Sequence, residues 1–139
     1  EARLLSPGGE AGALADLNGV CDVVLVDAPC SGTGTWRRNP ETRWRLTEKR
    51  LAKLVEEQAR LLDLAATLVR PGGALVYAVC ALTKAEGRGQ AGAFLFRHPD
   101  FRAADSGISL GRAAGHGRML TPDHDGSDGF FVARLEKPA

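Results

Sequence analysis

Two apolar runs, each closed by a cysteine, set the strongest constraint on what this chain folds into. The first is Val23-Val24-Leu25-Val26-Asp27-Ala28-Pro29-Cys30, followed at once by Ser31-Gly32-Thr33-Gly34. The second is Ala74-Leu75-Val76-Tyr77-Ala78-Val79-Cys80. Runs of about seven apolar, β-branched-rich residues fit strands buried on both faces, the habit of a parallel sheet. Open parallel sheets bind their ligands beyond the carboxyl ends of the strands. Asp27, Pro29, Cys30 and Cys80 are therefore expected on one rim. Two thiols, a carboxylate and a glycine-bearing loop make that rim a candidate site.

The elements between these runs read as α/β. A strand at 22–28 leads into a loop, 29–46, rich in Gly, Arg, Trp and Pro. A helix follows over 47–69, where Leu51, Leu54, Val55, Leu61, Leu62, Ala65, Leu68 and Val69 recur at helical spacing. Pro71-Gly72-Gly73 stops it, and the strand 74–80 comes next. A helix at 85–98 is weakened by Gly87, Gly89 and Gly92. A short strand near 101–104, a Gly-rich loop over 106–117 and a hairpin over 118–136 complete the chain. Strand–helix–strand–helix order is the mark of an α/β fold.

Several function classes are disfavoured. The 139 residues amount to one domain's worth of chain. A net charge of +1 gives no global basic field, so any nucleic-acid signal must be local. No apolar stretch approaches the roughly 18 residues of a membrane helix, and no secretory signal opens the sequence. Three cysteines without C-x-x-C spacing argue against a disulfide framework or a zinc site and suit a reducing, cytoplasmic setting. His98, His116 and His124 lack metal-ligand spacing, so no metal is expected. No glycine-rich dinucleotide turn precedes Cys21. Cys21 itself reads as a small buried hydrophobe.

The one local basic signal lies after Cys30. Trp36, Arg37, Arg38, Arg43, Trp44, Arg45, Lys49 and Arg50 stand against only Glu41 and Glu48. Aromatic rings interleaved with Arg suit stacking on bases and pairing with phosphates. A solvated helix entry with two packed Trp residues would look the same. The loop leaves the rim where both cysteines end, which favours the first reading: a polyanion held there would lie over them.

The quoted strings resemble one family closely. Asp27-Ala28-Pro29-Cys30-Ser31-Gly32-Thr33-Gly34, then Arg37-Arg38-Asn39-Pro40, then Leu68-Val69-Arg70-Pro71-Gly72-Gly73 with Val76-Tyr77-Ala78-Val79-Cys80, and finally Asp128-Gly129-Phe130-Phe131, are similar to the Sun/Fmu-type RNA cytosine-carbon-5 methyltransferases. The likeness spans residues 20–137. It implies the later half of a Rossmann-like S-adenosylmethionine-dependent methyltransferase domain, with a mixed sheet and an antiparallel last strand. On this reading 1–139 is a single partial domain whose cofactor loop lies before residue 1, and the isolated chain is expected to be inactive.

The resemblance also implies roles. Cys80 would be the nucleophile that adds to carbon 6 of cytosine, and Cys30 would serve product release. Asp27 would lie by the cofactor and the base ring. The Pro29 carbonyl would accept from the exocyclic amine, and Arg37 and Arg38 would meet the RNA, ribosomal RNA being expected. Only an unstacked base enters such a pocket.

The match departs from the family at the nucleophile. The family's polar flanks are here Ala78, Val79 and Ala81, and its Glu-Asn pair is Glu86-Gly87. Methylation of RNA cytosine is thus one expectation; the alternative is a non-catalytic RNA-binding relative or an inactive fragment.

Overall fold

In the computed structural model, which describes residues 1–139, the two cysteine-ended runs pair side by side. Strand β1 (Cys21–Asp27) lies parallel to β2 (Val69–Val79), with Val24 opposite Leu75 and Asp27 opposite Ala78. Because the strands are parallel, their carboxyl ends share one rim, as the sequence predicts. β2 pairs antiparallel with the last strand, β6 (Phe130–Glu136). The other side of β6 receives β3 (Arg102–Ala104) at one end and β5 (Gly117–Leu120) at the other. β4 (Arg112–Ala114) pairs with β5 and completes a mixed six-stranded sheet in the order β1-β2-β6-β5-β4.

Helix α2 (Glu48–Leu68) bridges the paired strands. The Thr47 hydroxyl accepts from the Arg50 backbone N–H at 3.2 Å and caps its first turn. The helix ends where Pro71 bars helical backbone at the preceding residue. Pro71-Gly72-Gly73 does more than stop it: the register jumps from Cys21↔Val69 to Val23↔Ala74, so these residues form a bulge within β2. Gly72 takes a left-handed φ of 77° there. A Cβ on Gly73 would press the Asp22 carbonyl at 2.9 Å. Helix α3 (Arg88–Arg97) packs beside α2. Short helices α1 (Glu10–Ala13) and α4 (Pro122–Asp125) lie before β1 and between β5 and β6.

The core gathers Leu62, Leu75, Tyr77, Phe94, Phe131 and Leu135, all without exposed area. Burying side chains of this size contributes about 1.5–3 kcal/mol each before conformational entropy is counted. The Tyr77 and Phe131 rings meet edge to face with centroids 6.3 Å apart. β1 departs from the expectation of burial on both faces. Val24 and Val26 pack against the core cluster, but Val23 and Leu25 on the opposite face are 62% and 66% exposed. β1 is the edge of the sheet, and no element covers that face.

Candidate active site

The rim brings the two motif cysteines together. The Sγ atoms of Cys30 and Cys80 lie 3.3 Å apart across a sequence separation of 50 residues. Both are free thiols and partly buried. The β1–β2 ladder runs right up to them, since the Ala28 N–H donates to the Ala78 carbonyl at 3.0 Å. Beyond it the Gly34 N–H donates to the Cys80 carbonyl at 3.0 Å, and the Leu82 N–H donates to the Thr33 hydroxyl at 2.8 Å. Gly32, with a φ of 67°, turns the chain between Cys30 and the single 3-10 turn Thr33–Thr35.

Burial pushes the Cys30 thiol up to about 12. A hydrogen bond from Gly32 opposes that rise, while Cys80 and Glu86 add to it. Burial likewise raises the Tyr77 phenol, whose hydroxyl donates to the Glu86 carbonyl at 2.7 Å. The apolar flanks of Cys80 are core residues: Ala78, Val79 and Ala81 are 5%, 0% and 0% exposed. The nearby hydroxyls of Ser31 and Thr83 are instead turned to the Glu86 carboxylate, and that of Thr33 to the Leu82 N–H.

Beneath the thiols lies Glu86, fully buried. Its carboxylate accepts from the Ser31 N–H at 2.7 Å, the Ser31 hydroxyl at 2.6 Å, the Thr83 hydroxyl at 2.7 Å and Gln58 Nε2 at 3.1 Å. Gln58 Nε2 also donates to the Pro29 carbonyl at 3.0 Å, so one lone pair of that oxygen is already engaged. From the sequence, Glu86 is noted only as the first half of the Glu86-Gly87 pair, with no role given, and Gln58 is not singled out. Gln58 had a visible signal: it interrupts the apolar stripe of α2 at the spacing of Val55 and Leu62.

Asp27 is exposed at the end of β1, and its side chain makes no hydrogen bond or ion pair within the chain. It borders an apolar groove of about 270 Å³ with Leu14, Leu25 and Leu61. Cys30 lines a different pocket, about 230 Å³, with Ser31, Gly32, Thr42, Arg45 and Arg50. A larger cavity of about 320 Å³ lies away from the thiols, near His116 and Arg118.

The arginines divide into two groups. Arg38 Nε donates to Asp128 at 2.6 Å and Arg37 Nη2 at 3.5 Å, tying the loop to the Asp128-Gly129 turn. The hydrogen bond from Arg38 holds the Asp128 carboxyl below its usual range, with Arg37 helping. Arg45 and Arg50 have no acidic partner and face the Cys30 pocket. The two tryptophans also split. Trp36 is partly buried, with its indole N–H enclosed and unpartnered. Trp44 is 76% exposed, with the Arg43 guanidinium 4.3 Å from its ring centroid.

Cys21, His98 and His124 have local partners. Cys21 Sγ donates to the Leu17 carbonyl at 3.8 Å. His98 and His124 pair with Asp63 and Asp125. No three His, Cys, Asp or Glu side chains cluster as a metal site would need, and no helix is long and apolar enough to cross a membrane.

A family model described as 16S rRNA methyltransferase RsmB/F matches residues 9–136. The chain belongs to this family. Ribosomal RNA small subunit methyltransferase B of Xylella fastidiosa is 47% identical over 116 residues, which are 84% of this chain and 27% of that protein. Its counterpart in Thermus thermophilus is 45% identical over 115 residues, 82% of this chain and 29% of that protein. The chain thus spans little more than a quarter of these relatives. Among solved structures, a methyltransferase homolog from Pyrococcus horikoshii aligns with a TM-score of 0.73 at 28% identity, covering 91% of this chain and 42% of that one. NSun6 from the same organism, solved with SFG, aligns with a TM-score of 0.71 at 27% identity, covering 83% and 29%. The mixed α/β fold with antiparallel last strands is that of these methyltransferase structures.

Proposed function

We propose that this chain is the thiol-bearing part of an S-adenosylmethionine-dependent enzyme that methylates carbon 5 of cytosine in small-subunit ribosomal RNA. The observation that carries this reading is the 3.3 Å approach of Cys30 and Cys80 at the shared strand rim. Chemistry at carbon 5 explains a need for two thiols. That carbon is a poor nucleophile until a thiolate adds to carbon 6 and makes it enamine-like. Cys80 is assigned that addition. Once carbon 5 carries its methyl group, loss of the carbon 5 proton returns an electron pair to the ring bond and expels the Cys80 sulfur. Cys30, whose sulfur lies 3.3 Å from that of Cys80, is assigned to this release.

The residues present suit the methyl donor. Asp27 offers an unpartnered carboxylate on the rim, fitted to a polar contact with that donor or with the base ring. The similarity to a structure solved with SFG, a ligand of the S-adenosylmethionine type, supports the same cofactor here. When bound, it supplies an electrophilic methyl group on a sulfonium. The RNA backbone is assigned to Arg45 and Arg50 at the pocket mouth, with Arg37 and Arg38 alongside and Trp44 offering an exposed ring for stacking.

The test uses the complete gene product with RNA and methyl donor, resolved on denaturing gels. Cys80→Ala should form no covalent RNA species. Cys30→Ala should form the adduct, methylate it and fail to resolve it, so a protein–RNA band accumulates. The reverse pattern would exchange the two roles. A wild type and both variants that bind RNA without methylating it would make the chain a non-catalytic RNA-binding relative.

A further inference from the structure

The buried Glu86 has no place in the chemistry described above. A carboxylate removed from water costs several kcal/mol unless hydrogen bonds replace its hydration. Here four donors do so, two to each oxygen, and no Arg, Lys or His takes part. Packing alone does not call for this arrangement, since an apolar side chain of similar volume is often as stable at a buried ionic site.

What the network joins is informative. Ser31 directly follows Cys30, and Thr83 lies three residues after Cys80. Gln58, reaching up from α2, binds both Glu86 and the carbonyl of Pro29, the residue before Cys30. The carboxylate therefore grips the Cys30 loop on both sides and fastens it to the segment following Cys80. Tyr77 in turn fixes the backbone of Glu86 through its carbonyl. The neighbouring Gly87 lies against the Phe131 ring, which a Cβ would meet at 3.1 Å, so Glu86 has little freedom to move.

We propose that Glu86 is a positioning residue for the two-thiol chemistry: its carboxylate clamps the loop carrying Cys30 onto the segment after Cys80 and so sets the contact between their sulfur atoms. This inference rests on the two-thiol reading of the site. Its function would be to keep both sulfurs within reach of one base.

The reduced 139-residue chain tests it with 4,4′-dithiodipyridine. One thiol attacks the reagent, releases one thiopyridone and forms a mixed disulfide. The second thiol then attacks that sulfur, releases the other thiopyridone and closes a Cys30–Cys80 bridge. The rate of the second release reports how often the two sulfurs meet, with labelling of Cys21 as internal control. Glu86→Ala should slow closure about tenfold or more, because the pair loses effective concentration. Glu86→Gln should stay within about threefold of wild type: its amide oxygen still accepts from Ser31 N–H and Gln58, and its NH2 can donate to the two hydroxyls.

Unchanged closure in a folded Glu86→Ala chain would overturn the proposal, as would equal slowing in Glu86→Gln. If circular dichroism shows Glu86→Ala unfolded, Ser31→Ala and Thr83→Ala take its place, each removing one donor. Slower closure in both supports the clamp, and wild-type closure in both overturns it. The measurement needs neither RNA nor methyl donor, so its failure is separate from a failure of the methylation reading on gels.

Discussion

Gly34 lies backbone to backbone against Gly129, whose N–H donates to the Gly34 carbonyl at 2.8 Å. A Cβ on Gly34 would stand 1.9 Å from the Gly129 carbonyl oxygen, so only glycine fits. The contact joins the loop after Cys30 to the start of β6, and Gly34 also donates to the Cys80 carbonyl. Gly34→Ala should therefore cost about 3 kcal/mol or more and lower the melting temperature by roughly 10 °C. Gly12→Ala is the control, since a Cβ there meets nothing within 4 Å and falls in a helix. Equal melting of Gly34→Ala and wild type would show that the two loops do not touch.

The raised Cys30 thiol makes stability depend on alkali. In the unfolded chain a cysteine titrates near ~8.5, whereas in the folded chain Cys30 is pushed up to about 12. Below the lower value both states hold the proton and the contribution is fully present. Above it the unfolded chain ionises first, and stability falls as pH rises toward the folded value. Cys30→Ala removes this slope. The melting temperature of wild type relative to Cys30→Ala should drop between about pH 8 and about pH 10. A constant gap across that range would mean that Cys30 titrates as it does in the unfolded chain.

These two cases show where sequence was informative. The shared rim was legible because the run ending at Cys80 and the run ending at Cys30 each have strand length, and parallel pairing puts their ends together. Helix α2 was legible from its apolar period and from Pro71. β4 was not, because Arg112-Ala113-Ala114 has no β-branched or aromatic residue and is held only by β5. The exposure of Val23 and Leu25 depends on what covers the sheet, which an apolar run does not encode. The Glu86 network was hidden for another reason: Gln58 and Ser31 lie 28 and 55 residues away and join Thr83 around the carboxylate only through the fold. The pairing of Arg37 and Arg38 with Asp128 was hidden likewise, so the basic loop read as more uniform than it is.

That pairing predicts an order among the arginines. Arg37 and Arg38 are partly neutralised by Asp128, whereas Arg45 and Arg50 are unpaired beside the Cys30 pocket. In the complete gene product, Arg45→Ala with Arg50→Ala should weaken RNA binding more than Arg37→Ala with Arg38→Ala. Each lost phosphate contact should flatten the plot of log K against log salt by about 0.7 for a single strand. Titrations at several salt concentrations measure both quantities. Equal slopes in the two double variants would remove the distinction, and an unchanged slope in both would return the loop to a solvated helix entry.

The open edge of the sheet carries the last prediction. β1 offers unpaired backbone groups along one side, and Val23 and Leu25 project from its uncovered face at 62% and 66% exposure. Edge strands with apolar side chains are templates for pairing with other chains, and a lysine on such a strand blocks that pairing. This chain, studied alone, should associate as its concentration rises. Leu25→Lys should keep it monomeric in light scattering, with a melting temperature close to wild type, because at 66% exposure most of the side chain already lies in water. If Leu25→Lys associates as wild type does, the contact lies elsewhere on the surface. If it melts far below wild type, the outer face of β1 is packed in solution.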